Sequence, residues 1–563
     1  MAMMRLGRAV HARLFDARGW LMSLTLAVIA AALRLPRLDQ PHLFSFDETY
    51  YAKDAFSYLH FGYEREFIDN ANALLLQGHT NVFTSSPEFV VHPPLGKWTI
   101  ALGEYLFGMN PFGWRIMMAL LGIAAVVLVH RTMLRLSGNA YTAAAAGLFM
   151  AIDGLAIVLS RTALLDQTLM FWIVVTFHAL VRDRDHYRHT LALRRYSAPI
   201  SWVRAVRPWR LLAIVAITAA MSTKWSALWF ALAFAALAFT WDAVARRRAE
   251  VDGRRGWLAD LAWLAVALVV GVVGYLASWI GWFRSTDAWD RGWLPGSSSL
   301  PHWMTQWVPQ SISQALRAFV YYHQQALQFH VTLTSDHPYK AAPYWWPLML
   351  RPTSFTYESY TRGQHGCTAQ SCSMEVLALG NIVLWWTASL VVTALVVLPF
   401  VRLLRMRLTL RGWTADFTRP SRVAWDVAAG PLIGVAAGWL PWIYWHERTT
   451  FTFYSIVYAP FMCMLAAYGL QLFATHAVPV RVEDAAAPGA LRTEPRDGEL
   501  EGSVEPPHAE VRFVEEVHRG RLVVAVGIVV LAVLVSAYFY PVWEGTVVSY
   551  DAWHARMWLP SWI

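Results

Sequence analysis

Phe46-Asp47-Glu48-Thr49-Tyr50-Tyr51 places two adjacent carboxylates about ten residues after Arg37, just beyond an apolar stretch at 19–36. The hexapeptide is too polar to lie in lipid, and the stretch before it approaches the roughly 20 apolar residues that a bilayer crossing needs. Ten further stretches of this kind follow, at 113–134, 140–160, 163–181, 209–223, 225–245, 258–283, 376–400, 425–446, 450–472 and 521–540. The expected fold class is therefore an all-α polytopic membrane protein of about 11 transmembrane helices. Arg5, Arg8, Arg13 and Arg18 precede the first stretch, and Ala30-Ala31-Ala32 gives it a signal-peptide look. With ten spans behind it, an uncleaved anchor is the better reading.

Composition agrees. Of 563 residues 56% are hydrophobic and only 15% charged, unlike a soluble domain. Thirty Trp and 22 Tyr suit membrane-interface belts, where amphipathic rings sit at headgroup level. The net charge of +9 is scattered through short loops, so no nucleic-acid partner is expected. Lysine is scarce in this Arg-rich chain: the four are Lys53, Lys97, Lys224 and Lys340.

Basic residues also set the orientation, because they accumulate in cytoplasmic loops. Residues 182–210 hold eight Arg, 246–255 five and 402–422 six. This places the N-terminus in the cytoplasm, and 38–112 and 284–375 become large extracytoplasmic loops. Trp98 to Phe107 is expected to lie along the membrane surface. The Glu-, Pro-, Gly- and Ala-rich run within 473–520 reads as a disordered cytoplasmic linker. It separates a catalytic membrane domain, 1–472, from a last span and extracytoplasmic tail, 521–563. Cys367 and Cys372 fit a disulfide closing a tight turn, with a metal site as the rival.

With this topology the polar clusters collect on one face. They are Asp47, Glu48, Tyr50, Tyr51 and Asp69; His92-Pro93-Pro94-Leu95-Gly96-Lys97; Arg115; Arg161 with Asp166; Lys224-Trp225; Asn381 with Trp385; and His446-Glu447-Arg448. Each has a bland alternative: Arg at a span end is usually a snorkelling anchor, His92 could bond backbone in a turn, and Arg161–Asp166 could be a local ion pair. Together they suit transfer from an anionic lipid donor. Arg115, Arg161, Lys224, Arg448, His92 and Lys97 are the candidates for a phosphate site. A neighbouring carboxylate could deprotonate an acceptor hydroxyl.

The ordered set Phe46-Asp47-Glu48-x-Tyr50-Tyr51, His92-Pro93-Pro94-x-Gly96-Lys97, Gly113-Trp114-Arg115, Ser160-Arg161-x-x-Leu164-Leu165-Asp166, Thr223-Lys224-Trp225, Leu379-Gly380-Asn381 and His446-Glu447-Arg448-x-x-Phe451 resembles the bacterial, actinobacterial-type protein O-mannosyltransferases. That family belongs to the membrane-embedded glycosyltransferase C (GT-C) superfamily. The resemblance implies mannose transfer from polyprenyl-phosphate-mannose to Ser or Thr of secreted proteins, outside the plasma membrane, as they leave the Sec translocon. It implies Asp47 as the base of an inverting reaction, Glu48 as acceptor-binding or steadying, and Arg115 on the donor phosphate. The loop 284–375 is too short for the lectin-like trefoil of eukaryotic relatives. Those relatives also carry an Asp ahead of the His-Pro-Pro motif; here Asp69 or Glu88 is the candidate substitute.

Two rivals stand beside this reading. One is a GT-C transferase decorating a glycolipid or cell-wall glycan. The other is a transporter or flippase, which would show broken spans and polar groups at mid-membrane. No cofactor is required, although two adjacent carboxylates leave a divalent cation, Mg or Mn, as an alternative.

Overall fold

A backbone in lipid has no water to satisfy its N–H and C=O groups, so apolar stretches this long become helices. The computed structural model describes residues 2–194, 207–250, 253–293, 310–409, 423–482 and 510–563. After α1 (Ala2–Arg34), the first loop folds into α2 (Glu48–Phe61), β1 (Arg65–Phe67), α3 (Ala71–Leu76), β2 (Phe83–Pro87) and α4 (Leu95–Phe107). Then come α5 (Pro111–Ser137), α6 (Ala140–Ile152), α7 (Gly154–Ser160), α8 (Leu165–Arg194), α9 (Pro208–Met221), α10 (Ala227–Arg248) and α11 (Gly253–Ser278). The second loop contains α12 (Ile280–Arg284), α13 (Gln310–Thr332) and a hairpin of β3 (Thr353–Thr361) with β4 (Ser371–Ala378). The remainder is α14 (Ile382–Thr409), α15 (Trp425–Tyr444), α16 (Ala459–Ala474), β5 (Thr475–Val482), β6 (Glu510–Val517), α17 (Arg519–Glu544), β7 (Val548–Ser549) and α18 (Tyr550–His554).

Every one of the eleven apolar stretches contains helix. Among the described residues seven helices are long and apolar enough to cross a membrane, and the bent pair α6–α7 makes an eighth. Of the other three, α9 and α16 have only 14 and 16 residues, and α8 is long but charged in its second half. The protein is thus multi-pass, with three small sheets among the described residues added to the expected all-α fold.

Four boundaries differ from the sequence reading. The span expected at 140–160 is bent by 56° at Asp153. The span expected from 376 begins as the end of β4, and its helix starts at Ile382. The span expected from 450 begins as a 3₁₀ turn, Thr452–Val457, before α16. The supposedly disordered linker over 473–520 is ordered at both ends: β5 and β6 pair antiparallel from Thr475↔Val517 to Val482↔Glu510. Val at 478, 480 and 482 gives that segment a strand's period of two, which its overall polarity hid. Residues 483–509 lie outside the described residues.

One apolar core runs through α5–α8, α10 and α14–α17. At one end of the bundle Arg207 and Arg210 each bond both Asp183 and Asp242, at 2.6–3.1 Å, tying α8, α9 and α10 together. Seventeen residues separate Asp183 from Asp166, about 25 Å along α8 at 1.5 Å per residue. This anchor therefore fixes the register of the opposite end, where the candidate site lies. On the loop side β4 pairs with both β3 and β7, and the expected Cys367–Cys372 disulfide closes the β3–β4 turn.

Candidate active site

The site grows from the turn at Phe46. That residue takes a left-handed φ of 51°, costly for a bulky side chain, and is held there by packing. Its ring stacks on Phe355 at 4.9 Å and meets Phe451 and Phe453 edge-on. The strained turn gives the next two carboxylates opposite fates.

Glu48 points inward and is fully buried. It accepts two bonds from Arg115, at 2.8 and 2.7 Å, and one each from the Ser45 and Ala163 N–H groups at 2.9 Å. Asp47 occupies the N-cap of α2, where an Asp normally folds back onto the first-turn N–H groups. Here it does not, and among the described residues its carboxylate accepts no hydrogen bond. Burial pushes its pKa from 3.8 up to about 6, with the nearby Lys224 opposing and Asp166 reinforcing that rise.

Beside Asp47 opens a cavity of about 270 Å³. Its polar lining is His92, Asp166, Lys224, His330, Arg448 and Tyr454. The Leu95 N–H donates to the Ser222 carbonyl at 3.0 Å, which brings the His-Pro-Pro segment against the end of α9 and so beside Lys224. Asp166, at the start of α8, accepts from Lys224 Nζ at 2.7 Å. Arg448 approaches His330 Nδ1 at 3.4 Å and lies 5.7 Å from the Trp442 ring. Its buried Nε has no hydrogen-bond partner, and among the described residues it makes no ion pair. The rings of His92 and His330 are 5.1 Å apart. Burial lowers His330 to about 4 and His92 well below its usual 6.5, with Lys224 the next cause for His92, so both imidazoles are neutral near pH 7. The rest of the lining is largely apolar, including Leu228, Trp229, Leu327, Val331 and Trp445. A cation pair at the head of an apolar slot matches an amphiphile with an anionic head.

Of the six expected phosphate ligands, Lys224, Arg448 and His92 meet here; the other three do not. Arg115 is consumed by Glu48 and by the Leu38, Pro41 and Leu43 carbonyls. Arg161 donates to the Arg34, Pro36 and Arg37 carbonyls, bracing the chain after α1. Lys97 pairs with buried Glu64. In each case burial demanded a partner, and local backbone or acid supplied it.

The supporting set also divides. Tyr51 lies close enough to Asp47 and Asp166 for their charges to act on its hydroxyl, which burial pushes well above 10. Tyr50 and Asp69 line a separate recess. Glu88 lines it too, so Asp166 is the second acid near Asp47, rather than Asp69 or Glu88. Asn381 and Trp385 both donate to Asp153, at 2.8 and 2.9 Å, and do not reach the cavity. Asp153 also caps α7 through the Ala156 N–H. Asp153 at the break in this span is thus fully buried and satisfied by its own neighbours. His446 and Glu447 are exposed and lie 3.5 Å apart outside the cavity lining. His330, Trp442 and Tyr454 were not anticipated. The one available signal was His330 recurring seven residues after His323, two turns along an amphipathic helix.

The adjacent pair does not offer a metal a joint oxygen set, because Glu48 is saturated by Arg115 and backbone. Among the described residues no group of three or more His, Cys, Asp or Glu is placed to hold a metal ion.

Comparison with known proteins adds the following. Residues 24–265 match the model of the dolichyl-phosphate-mannose-protein mannosyltransferase family. Residues 315–562 match that of the C-terminal four-transmembrane region of protein-O-mannosyltransferase. The polyprenol-phosphate-mannose–protein mannosyltransferase of Mycobacterium tuberculosis is 33% identical, over 97% of this chain and 92% of its own. The protein of the same name from Mycolicibacterium smegmatis is 32% identical, over 97% and 93%. Among solved structures, the Saccharomyces cerevisiae protein O-mannosyltransferase Pmt1–Pmt2 complex bound to the sugar donor matches with a TM-score of 0.64. It covers 97% of this chain and 93% of that one at 14% identity, a likeness of fold.

Proposed function

The chain belongs to the protein O-mannosyltransferase family, and from that premise we propose that it moves mannose from polyprenyl-phosphate-mannose to Ser or Thr hydroxyls of exported proteins. Arg448 and Lys224 hold the donor phosphate, and the wall of Leu228, Trp229, Leu327, Val331 and Trp445 takes the lipid. Asp47 accepts the proton of the acceptor hydroxyl as its oxygen bonds to the anomeric carbon. The bond from that carbon to the phosphate oxygen breaks, and polyprenyl phosphate leaves with the electron pair. One base acting opposite the leaving group inverts the anomeric centre. Charge on the departing phosphate is balanced by the two cations, so no general acid is needed. No metal enters the scheme.

The observation that carries this reading is an uncommitted carboxylate, Asp47, within electrostatic reach of Lys224 and Asp166, which line the same cavity as Arg448, a cation with no acid partner among the described residues. The Arg-rich segments between spans support a cytoplasmic N-terminus and a site on the outer face of the plasma membrane, the face where exported acceptors emerge. The decisive experiment is Asp47→Asn in purified membranes, with labelled donor and a Ser/Thr peptide. Transfer should fall about 10²–10⁴-fold, the usual worth of a general base. Near-normal transfer would remove Asp47 from that role. Transfer to glycolipid extracts in place of peptide would favour the glycan-decorating alternative.

A further inference from the structure

The first loop holds a second cavity that the proposed reaction does not use. It is an open recess of about 610 Å³ between α2 and the β1–α3 segment. Asp54, Glu66, Asp69 and Glu88 line it, against a single ammonium, Lys53. Lys53 itself lies over the Phe67 ring at 4.9 Å. Asp54 is the telling residue. It is 97% buried by its 3% exposure, lines the recess, and makes no hydrogen bond among the described residues. A buried carboxylate without a hydrogen-bond partner is costly, and a cation arriving from outside is one way such a site is satisfied. Burial pushes Asp54 well above 3.8, opposed first by Lys97 and more weakly by Lys53, and reinforced by Glu88 and Glu64. The cations act on it only at a distance, since no ion pair or hydrogen bond reaches its carboxylate among the described residues. A bare metal ion is a poor occupant, since the acids are too dispersed to form a metal-holding group.

We propose that this recess is an acceptor subsite that takes the ammonium or guanidinium of a Lys or Arg flanking the target hydroxyl. The inference rests on the protein-acceptor reading above. Its spacing follows from α2. Asp54 stands seven residues after Asp47, on the same side of the helix, and the interval is about 10 Å. An extended acceptor covers 3.3–3.6 Å per residue, so about three residues separate the basic residue from the Ser or Thr. Thr49, tied by its hydroxyl to Asn72 at 2.8 Å, joins the recess wall to the turn that bears the base.

The test uses the full chain in detergent, with polyprenyl-phosphate-mannose and three peptides containing one Thr. One carries Lys three residues before the Thr, one three residues after, and one Gln at both places. One Lys peptide should show a KM about three- to tenfold below the Gln peptide, the range for a few partly exposed charge pairs. The advantage should shrink in high salt. It should disappear in the Glu66→Gln/Asp69→Asn double variant, which alters only the rim, while the Gln peptide is still mannosylated. Equal KM values for all three peptides, with transfer proceeding, would overturn the subsite and leave the enzymatic reading intact. No transfer to any peptide under conditions that consume donor into glycolipid would overturn both.

Discussion

At the scale of single residues, Asp47 and Glu48 show how far sequence can separate neighbours. Their adjacency and their place after the first span were legible; their division of labour was not, because it depends on the left-handed turn at Phe46 and on Arg115, 67 residues away. Arg115 looked like a phosphate ligand by residue type and by the family resemblance. Arg115→Ala should instead leave the Glu48 charge buried and unpaired, lowering stability by about 3–5 kcal/mol. Arg448→Ala should raise the donor KM with little change in melting temperature, and Arg448→Lys should restore part of the loss. Thermal unfolding and donor titration of both variants separate the roles; weaker donor use in a stable Arg115→Ala protein would restore it to the phosphate site. The pKa of Asp47 gives a second handle. With its carboxyl at about 6, transfer should rise between about pH 5 and 7 and then level off. The folded-state value exceeds the unfolded 3.8, so the stability contributed by its proton is complete below about 4 and lost as pH rises through 6. A permanently neutral Asp47→Asn protein should therefore be at least as stable as the parent at pH 7 while losing activity. A marked fall in melting temperature would point to a structural role.

At the scale of elements, the apolar lengths announced the spanning helices, and each expected stretch contains helix, while the loops add helices of their own, the longest being Gln310–Thr332. What the lengths concealed is where a span stops being regular. Apolar composition is the same in β4, in the 3₁₀ turn at Thr452 and in a helix, so hydropathy ran through all three. The bend at Asp153 is clearer in hindsight, since an acid within a span must be satisfied; Asn381, Trp385 and the Ala156 N–H do so. The bend also requires Gly154. A Cβ there would stand 2.1 Å from the Trp543 ring and 2.4 Å from the Leu379 carbonyl oxygen. Neither can withdraw easily, one being a buried indole and the other backbone. Gly154→Ala should cost about 1–3 kcal/mol or more by overpacking the joint of α7, α14 and α17. Thermal unfolding in detergent reads this directly, and a variant as stable as its parent would show that the joint yields.

At the scale of the whole molecule, Arg448 is held in place from a distance that no local motif discloses. The turn bearing it is fixed because the Thr450 hydroxyl donates to the Ala341 carbonyl at 2.8 Å, and the Thr452 hydroxyl donates to the Arg351 carbonyl. Arg351 in turn donates to the Ser561 carbonyl, and Trp562, fully buried, donates from its indole to the Met349 carbonyl at 3.0 Å. The residues after α17 are thus a wedge under the second loop, and the second loop is a brace for the donor cation. Trp562→Ala removes the wedge from a site more than a hundred residues along the chain from Arg448. It should lower stability by about 3–5 kcal/mol, as for other buried Trp truncations. If the brace works as described, it should also raise the donor KM more than the acceptor KM, because Asp47 has a second support that the wedge does not touch, the Glu48–Arg115 pair, although its Phe46 ring cluster shares Phe451 and Phe453 with the braced turn. Measuring both constants at a temperature where the variant remains folded decides the matter. Equal changes in the two would mean that the tail stabilises the fold generally, without specific support for the cation.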